Sequence, residues 1–332
     1  MITVRSIRTR GYVMSKKTDV NDNVSHVDQD ADWLYRFPIR VLSERTGIGS
    51  STLRAWERRY GLLQPERTPK GHRLYREQDV KRIERIVGLL DENHTLPGIA
   101  SLLNDEQEEK TSGSPGSPLE NDAWSALVEQ TLTAVREFST ERIEAIFNES
   151  ASLYPFDLVT ERLIEPVLKT LGDQWDKRPA GIAEEHFYTG WLNHRLGARF
   201  HHASSQATGA RIVCACLPGS YHDIGLKLFS ISALMRGYRI LYFGANLPLE
   251  QIPYILERSA ARGVVLAANR QNDSGVFDSL ARLMHMLEVP VFLGGTDGML
   301  SDTGDFEQAG GIVLGNRIAV SLRVLGTHVP AH

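Results

Sequence analysis

The chain has 332 residues, of which 42% are hydrophobic and 23% charged, with a net charge of −4; this is the composition of ordinary soluble folded domains and leaves room for two or three of them. No run approaches eighteen apolar residues, which excludes a membrane-spanning helix, and the first two dozen residues lack the apolar core of a secretory signal. The only cysteines, Cys214 and Cys216, form a C-x-C in an apolar run, which excludes a disulfide framework and reads as two same-face strand residues in a core; a cytoplasmic location follows.

Residues 1–34 read as a polar arm, and Met14, opening MSKKTDVND, is a second candidate for the start. Residues 35–104 are helical and basic. Between Arg36 and Arg85 there are thirteen basic and six acidic residues, an excess of seven positive charges, so the rest of the chain carries −11. A basic head on an acidic body marks a polyanion-binding module joined to something that does not bind polyanions. Residues 105–122, DEQEEKTSGSPGSPLEND, are a flexible linker by composition. Residues 123–205 place apolar side chains at three- and four-residue spacing in four segments, which predicts a four-helix bundle.

From residue 208 to 330 the rhythm changes. RIVCACLPG, RILYFGANLP, GVVLAAN, VPVFLGG and GIVLGN are short apolar runs separated by helical stretches. That alternation predicts a five-stranded, Rossmann-like, doubly wound parallel sheet, with ligands held at the strands' carboxyl ends. The whole reads as a multidomain α + α/β protein: winged helix-turn-helix, bundle, sheet.

The head carries the clearest chemistry. IRVLSERTG forms a short helix capped by Gly47, and after a tight turn Ser50 or Ser51 caps a second, IGSSTLRAWERRYG. Leu53 and Trp56 pack inward, leaving Thr52, Arg54, Arg58 and Arg59 on an exposed face. In a helix-turn-helix the second helix enters the DNA major groove. LLQPERTPKGHRLY then gives two short strands around a Pro-Lys-Gly turn, a wing whose Arg67, Lys70, His72 and Arg73 reach phosphates. The run TLRAWERRYGLLQPERTPKGHRLYREQDVKRI closely resembles the MerR family over about 65 residues. The resemblance implies Arg54, Arg58 and Arg59 at the groove, Tyr60 at the helix end, and Arg73 and Tyr75 in the wing region. It also implies double-stranded operator DNA as partner and a homo-oligomer, dimer or tetramer, reading paired half-sites.

Two features mark the body. Trp175 is followed nine residues later by Glu185-His186, across a break at Pro179 and Gly181; an aromatic, a carboxylate and an imidazole there can converge on a flat ligand. Spacing alone favours a core Trp with a capping Glu and a surface His. GSYHDIG, directly after the first sheet strand, places His222 on a strand-to-helix loop where parallel sheets hold ligands. A neutral imidazole is the commonest protein metal ligand, though a loop His by itself is ordinarily just solvated. Together the two features resemble the cobalamin-binding module of methionine synthase and of the light-responsive MerR-family repressors of the CarH/LitR type, over about 200 residues from Ala123. The family's D-x-H-x-x-G reads Ser220-x-His222-x-x-Gly225 here. Its S-x-L falls near Leu266-Ala267-Ala268-Asn269, without the Ser or Leu, and its G-G is intact at Gly294-Gly295. The resemblance implies adenosylcobalamin as cofactor, with His222 as lower axial ligand of its cobalt. Gly225, Ala267, Gly294 and Gly295 would line a slot for its tail, and Trp175, Glu185 and His186 would cover its upper face. It implies a repressor, not an enzyme, that binds its operator in the dark and releases it when light cleaves the cobalt–carbon bond. A cofactor-free regulator with a degenerate cobalamin fold is the alternative reading. A corrinoid enzyme component is a weaker one, because head, bundle and sheet use up the chain and leave no substrate-binding barrel. His194, His201 and His202 on the bundle's last helix read as surface or core histidines.

Overall fold

A computed structural model describes residues 36–108, 120–268, 274–295, 303–315 and 317–331. The polar arm and the centre of the linker fall outside the described residues.

The head begins with a two-residue strand β1 (Phe37–Pro38), then α1 (Ile39–Thr46), ended by Gly47 in the left-handed region at φ 71°. The second helix, α2 (Ser50–Ala55), continues through a π turn at Trp56–Tyr60. Strands β2 (Glu66–Arg67) and β3 (Arg73–Tyr75) form the wing. They pair antiparallel, Arg67 opposite Arg73, and β1 joins on the other side with Phe37 opposite Tyr75, giving the order β1-β3-β2. Strand β1 was not expected, since two residues are too short to show alternation. The wing turn closes through Gly71 N–H donating to Thr68 O (2.7 Å) and His72 N–H to Thr68 Oγ1 (3.0 Å), and needs φ 81° at Gly71. Helices α3 (Glu77–Asp91) and α4 (Leu96–Glu108) complete the head. The N-cap of α2 is Gly49, without a side-chain cap, and Ser50 already lies in the helix. The expected serine cap is therefore corrected: the tight turn after Gly47 leaves glycine at that position.

The bundle consists of α5 (Glu120–Arg136), α6 (Thr140–Leu153), α7 (Phe156–Val159) running through a π turn into α8 (Glu165–Gln174), and α9 (Gly181–Ser204). Ser139 caps α6 by accepting from Arg142 N–H. Gly181 is required at the α8–α9 junction: a Cβ there would lie 2.5 Å from Trp175 O. Bundle and head share one apolar core, and the buried Trp56 indole Nε1–H donates to Leu153 O at 2.8 Å.

The last part alternates strand and helix: β4 (Arg211–Cys216), α10 (Ile224–Met235), β5 (Arg239–Gly244), α11 (Ile252–Ser259), β6 (Gly263–Ala267), α12 (Ser274–Met284), β7 (Val291–Gly294), α13 (Gly304–Gln308), β8 (Ile312–Val313) and α14 (Ile318–His328). All five strands pair in parallel, in the order β5-β4-β6-β7-β8. The α + α/β architecture read from the sequence is the one found. Period-two alternation sends Val213, Ala215, Val264 and Leu266 to one face and Ile212, Cys214, Cys216 and Val265 to the other, where α10 and α14 pack. The two thiols are free and buried, as the C-x-C spacing predicts. From β4 the chain steps to β5 on one side and then to β6 on the other. The gap between the carboxyl ends of β4 and β6 is the switch point where such sheets hold ligands.

Candidate nucleic-acid interface and cofactor site

The recognition helix presents Arg54, Arg58 and Arg59 to solvent, because the side chains between them are fixed inward: Leu53 and Trp56 are both fully buried. Thr52 is 3% exposed and faces the core, which corrects its place on the DNA-reading face. Glu57, on the same helix, holds the wing. Its carboxylate accepts from Arg73 Nε (2.5 Å) and Arg67 Nη2 (2.9 Å), and the hydrogen bond to Glu57 raises the pKa of Arg73. These two wing arginines are thus oriented and partly neutralised from within, whereas Lys70 and His72 at the turn are exposed. Tyr60 is half-buried at the helix end. Tyr75 has no exposure, and burial first, then the charge of Glu57, pushes its phenol up to about 12. It is a core residue of the β3 strand and not a surface contact to DNA. Spacing could not show this, because β3 has only three residues.

The second site is a cavity of ≈ 280 Å³ at the carboxyl ends of β4, β6 and β7. His222, Gly225, Ala267, Gly294 and Gly295 line it, five of the expected cofactor residues brought together from the loop after β4, the first turn of α10 and the ends of β6 and β7. The floor is apolar, with Leu226 and Phe229 from α10 and Ile318 from α14. The His222 ring is exposed and has no hydrogen-bond partner among the described residues, so both its nitrogens are open to a ligand. Its loop is well braced. Ser220 O accepts from Asn246 N–H (2.9 Å), Asn246 Oδ1 accepts from Gly219 N–H (2.8 Å), and Asp223 Oδ2 accepts from Tyr242 Oη (2.9 Å) with Lys227 Nζ at 3.6 Å. Lys227 Nζ also donates to Asn193 Oδ1 on α9 (2.6 Å), tying the loop to the bundle. Asn246 is therefore a brace rather than a crevice wall. Ser220 is 1% exposed and does not line the cavity, which corrects its place among the cofactor contacts. A Cβ on Gly225 would meet nothing within 4 Å, and one on Gly294 only Leu266 O at 3.9 Å. The slot is thus open space next to bare backbone, which fits a group that must slide in close to the main chain.

Trp175, Glu185 and His186 do not line this cavity. Trp175 ends α8 with 48% exposure, and His186 Nδ1 lies 2.7 Å from Glu185 Oε2 on the second turn of α9. The neighbouring Glu184 is buried and paired with Arg178 at 3.1 Å, and so takes the structural role. From the bundle, Glu165 reaches the cavity; burial and then the charge of Glu161 push its carboxyl up to about 7. No sequence signal marks Glu57 or Glu165, because each acts across a tertiary contact.

Helix-turn-helix with wing, bundle and parallel sheet define a DNA-binding regulator with a ligand-holding body. Residues 37–106 match the model of MerR HTH family regulatory proteins and residues 127–199 that of the B12 binding domain. The chain accordingly carries a MerR-type helix-turn-helix in its head and a B12 binding domain in its body. It is similar to the HTH-type transcriptional repressor CarH of Myxococcus xanthus, 28% identical over 275 residues (80% of this chain, 90% of the relative). It is also similar to the repressor CarA of the same organism, 26% identical over 211 residues (63% and 68%). The HTH-type transcriptional regulator MlrA of Escherichia coli (strain K12) is 32% identical over 124 residues (37% and 47%). No helix among the described residues is long and apolar enough to cross a membrane.

Proposed function

We propose that the protein is a cytoplasmic transcriptional repressor whose hold on operator DNA is set by adenosylcobalamin and light. The observation that carries this is the open imidazole of His222 above a glycine-lined slot, in a chain whose relatives CarH and CarA are named transcriptional repressors. In this reading the open imidazole of His222 would hold the cobalt of the cofactor. Gly225, Ala267, Gly294 and Gly295 would make room for part of it beside bare backbone, and Trp175, Glu185 and His186, which lie outside the cavity, would have to meet it from the bundle side. The cofactor would supply a cobalt–carbon bond that light breaks. The chain's own residues hold it, exclude water around it and couple its presence to the head through α9 and α10. Arg54, Arg58 and Arg59 enter the major groove while Arg67, Lys70, His72 and Arg73 stand toward the backbone, and a homodimer or tetramer engages paired half-sites. Residues 35–104 form the head, 105–122 the linker, 123–205 the cap and 208–330 the sheet domain.

The test is purification with adenosylcobalamin in the dark, followed by absorbance spectra and DNA binding before and after illumination. A corrinoid spectrum and DNA release on illumination are expected. A colourless protein with unchanged DNA binding would contradict the reading and leave a cofactor-free regulator.

A further inference from the structure

Between the start of the recognition helix and the body runs a cleft of ≈ 430 Å³. The head lines it with Arg40, Ser50, Ser51 and Arg54, the body with Arg199 and His202 from α9. Glu44 is the one acid among its lining residues, and it lies 3.5 Å from Arg40. Arg199 is the unusual member. Its guanidinium lies over the Phe156 ring at 4.4 Å, with Nη2 3.7 Å from Met235 Sδ, and its Nε is buried without a partner. Among the described residues no carboxylate comes within 4.0 Å of it. Asp157, the acid that influences it, is occupied by Arg236 Nη2 (2.7 Å) and Ser232 Oγ (2.5 Å). Burial, and then the nearby Arg195, pull the pKa of Arg199 down to about 10. A desolvated cation with no counter-charge is costly, and this one stands at the wall of a basic cleft. When a recognition helix enters the major groove, the first helix of the motif crosses the sugar-phosphate backbone, and here that helix carries Arg40.

We propose that this cleft takes a phosphate of the DNA backbone, gripped by Arg40 from the head and by Arg199 from the body, so that the body itself contributes to DNA binding. The proposal rests on the head's reading as the DNA-binding domain. A phosphate contact is sequence-independent and releases counterions, so each one adds about 0.9 to the steepness of the salt dependence.

The test uses the full chain and a labelled duplex of mixed sequence, roughly 30 base pairs long, titrated from about 50 to 200 mM salt. Arg199→Met keeps the packing on Phe156 and removes the charge. It is expected to flatten the slope of log K against log salt by about 0.9 and to weaken binding roughly eightfold near 0.1 M salt. Arg199→Lys should keep the slope. Arg40→Ala, on the exposed head side, should reproduce the flattening, which guards against a folding defect at Arg199. An unchanged slope and affinity in both Arg199→Met and Arg40→Ala, with binding lost in the Arg58→Ala/Arg59→Ala double variant, overturns the proposal while the DNA-binding reading stands. If that double variant also binds normally, the DNA-binding reading falls and the proposal with it. If inorganic phosphate at constant ionic strength raises the melting temperature of the unsubstituted protein but not of Arg199→Met, with the DNA slopes equal, the cleft takes free phosphate and the DNA assignment is overturned.

Discussion

At the scale of single residues, the chain separates side chains that face a partner from those that hold them in place. Arg54 is exposed on the recognition helix, whereas Glu57, one turn on, fixes the wing through Arg67 and Arg73. Arg54→Ala should weaken DNA binding with a change in base preference, since a specific base contact is worth roughly 1–3 kcal/mol. Lys70→Ala, at the tip of the wing, should weaken all sequences alike and flatten the salt dependence, both read by binding isotherms at several salt concentrations. An opposite pattern in the two variants would reverse their roles. The two thiols make a second case. Burial first pushes both Cys214 and Cys216 up to about 12, and the thiolate is the reactive form. Both should resist alkylation at pH 8 in the folded protein and react once it is denatured, as counted by mass spectrometry. Fast modification of the native protein would show that β4 is not closed over by α10.

At the scale of elements, much of the architecture was legible before the structure, and the failures share a cause. Strands β4 to β7, helices α10 to α12 and the four bundle helices follow from periods of two and of 3.6 residues carried over enough length to be unambiguous, whereas the short α13 and the closing α14 carried no such expectation. Strand β1 and the N-cap of α2 escaped because each is a matter of two or three residues. Thr52 and Tyr75 were assigned to the DNA face for a related reason. In a segment this short the inward and outward positions are set by what packs behind, here the Leu53–Trp56 core and the β1–β3 pairing. The glycines of the slot were placed by the resemblance to the cobalamin-binding module and not by any local signal; the burial of Ser220 was out of reach because it is set by tertiary packing, with its carbonyl accepting from Asn246 N–H 26 residues away. The link from head to bundle is likewise invisible in the sequence. The Trp56 indole spans it to reach Leu153 O. Trp56→Phe keeps the ring and leaves that carbonyl without its donor, which costs about 1–3 kcal/mol. Urea denaturation should show this loss as an earlier head transition. A midpoint equal to that of the unsubstituted protein would mean the bond adds nothing to the joint.

At the scale of the whole molecule, the head, the bundle and the sheet are joined through α9 and α10. Helix α9 carries Glu185, His186, Asn193 and Arg199, and α10 starts beside His222 and ends at Met235, against the head. The slot at His222 and the cleft beside the recognition helix share α10, which lends Leu226 and Phe229 to the one and Leu234 and Met235 to the other. Gly294→Val places a side chain in space now free near Leu266 O. It should abolish corrinoid uptake while the thermal midpoint of the cofactor-free protein stays put, as measured by absorbance and calorimetry. Normal uptake by this variant would move the tail elsewhere.

The most direct measurement is the absorbance spectrum of His222→Ala after incubation with adenosylcobalamin in the dark, taken beside the unsubstituted protein. If the ring nitrogen of this loop is what reaches the metal, the variant should lose bound corrinoid or hold it with a spectrum lacking the imidazole-bound form, and its DNA binding should no longer respond to illumination. Identical spectra and an intact response in both proteins would contradict the account of sensing, and only the promoter-reading head would survive it.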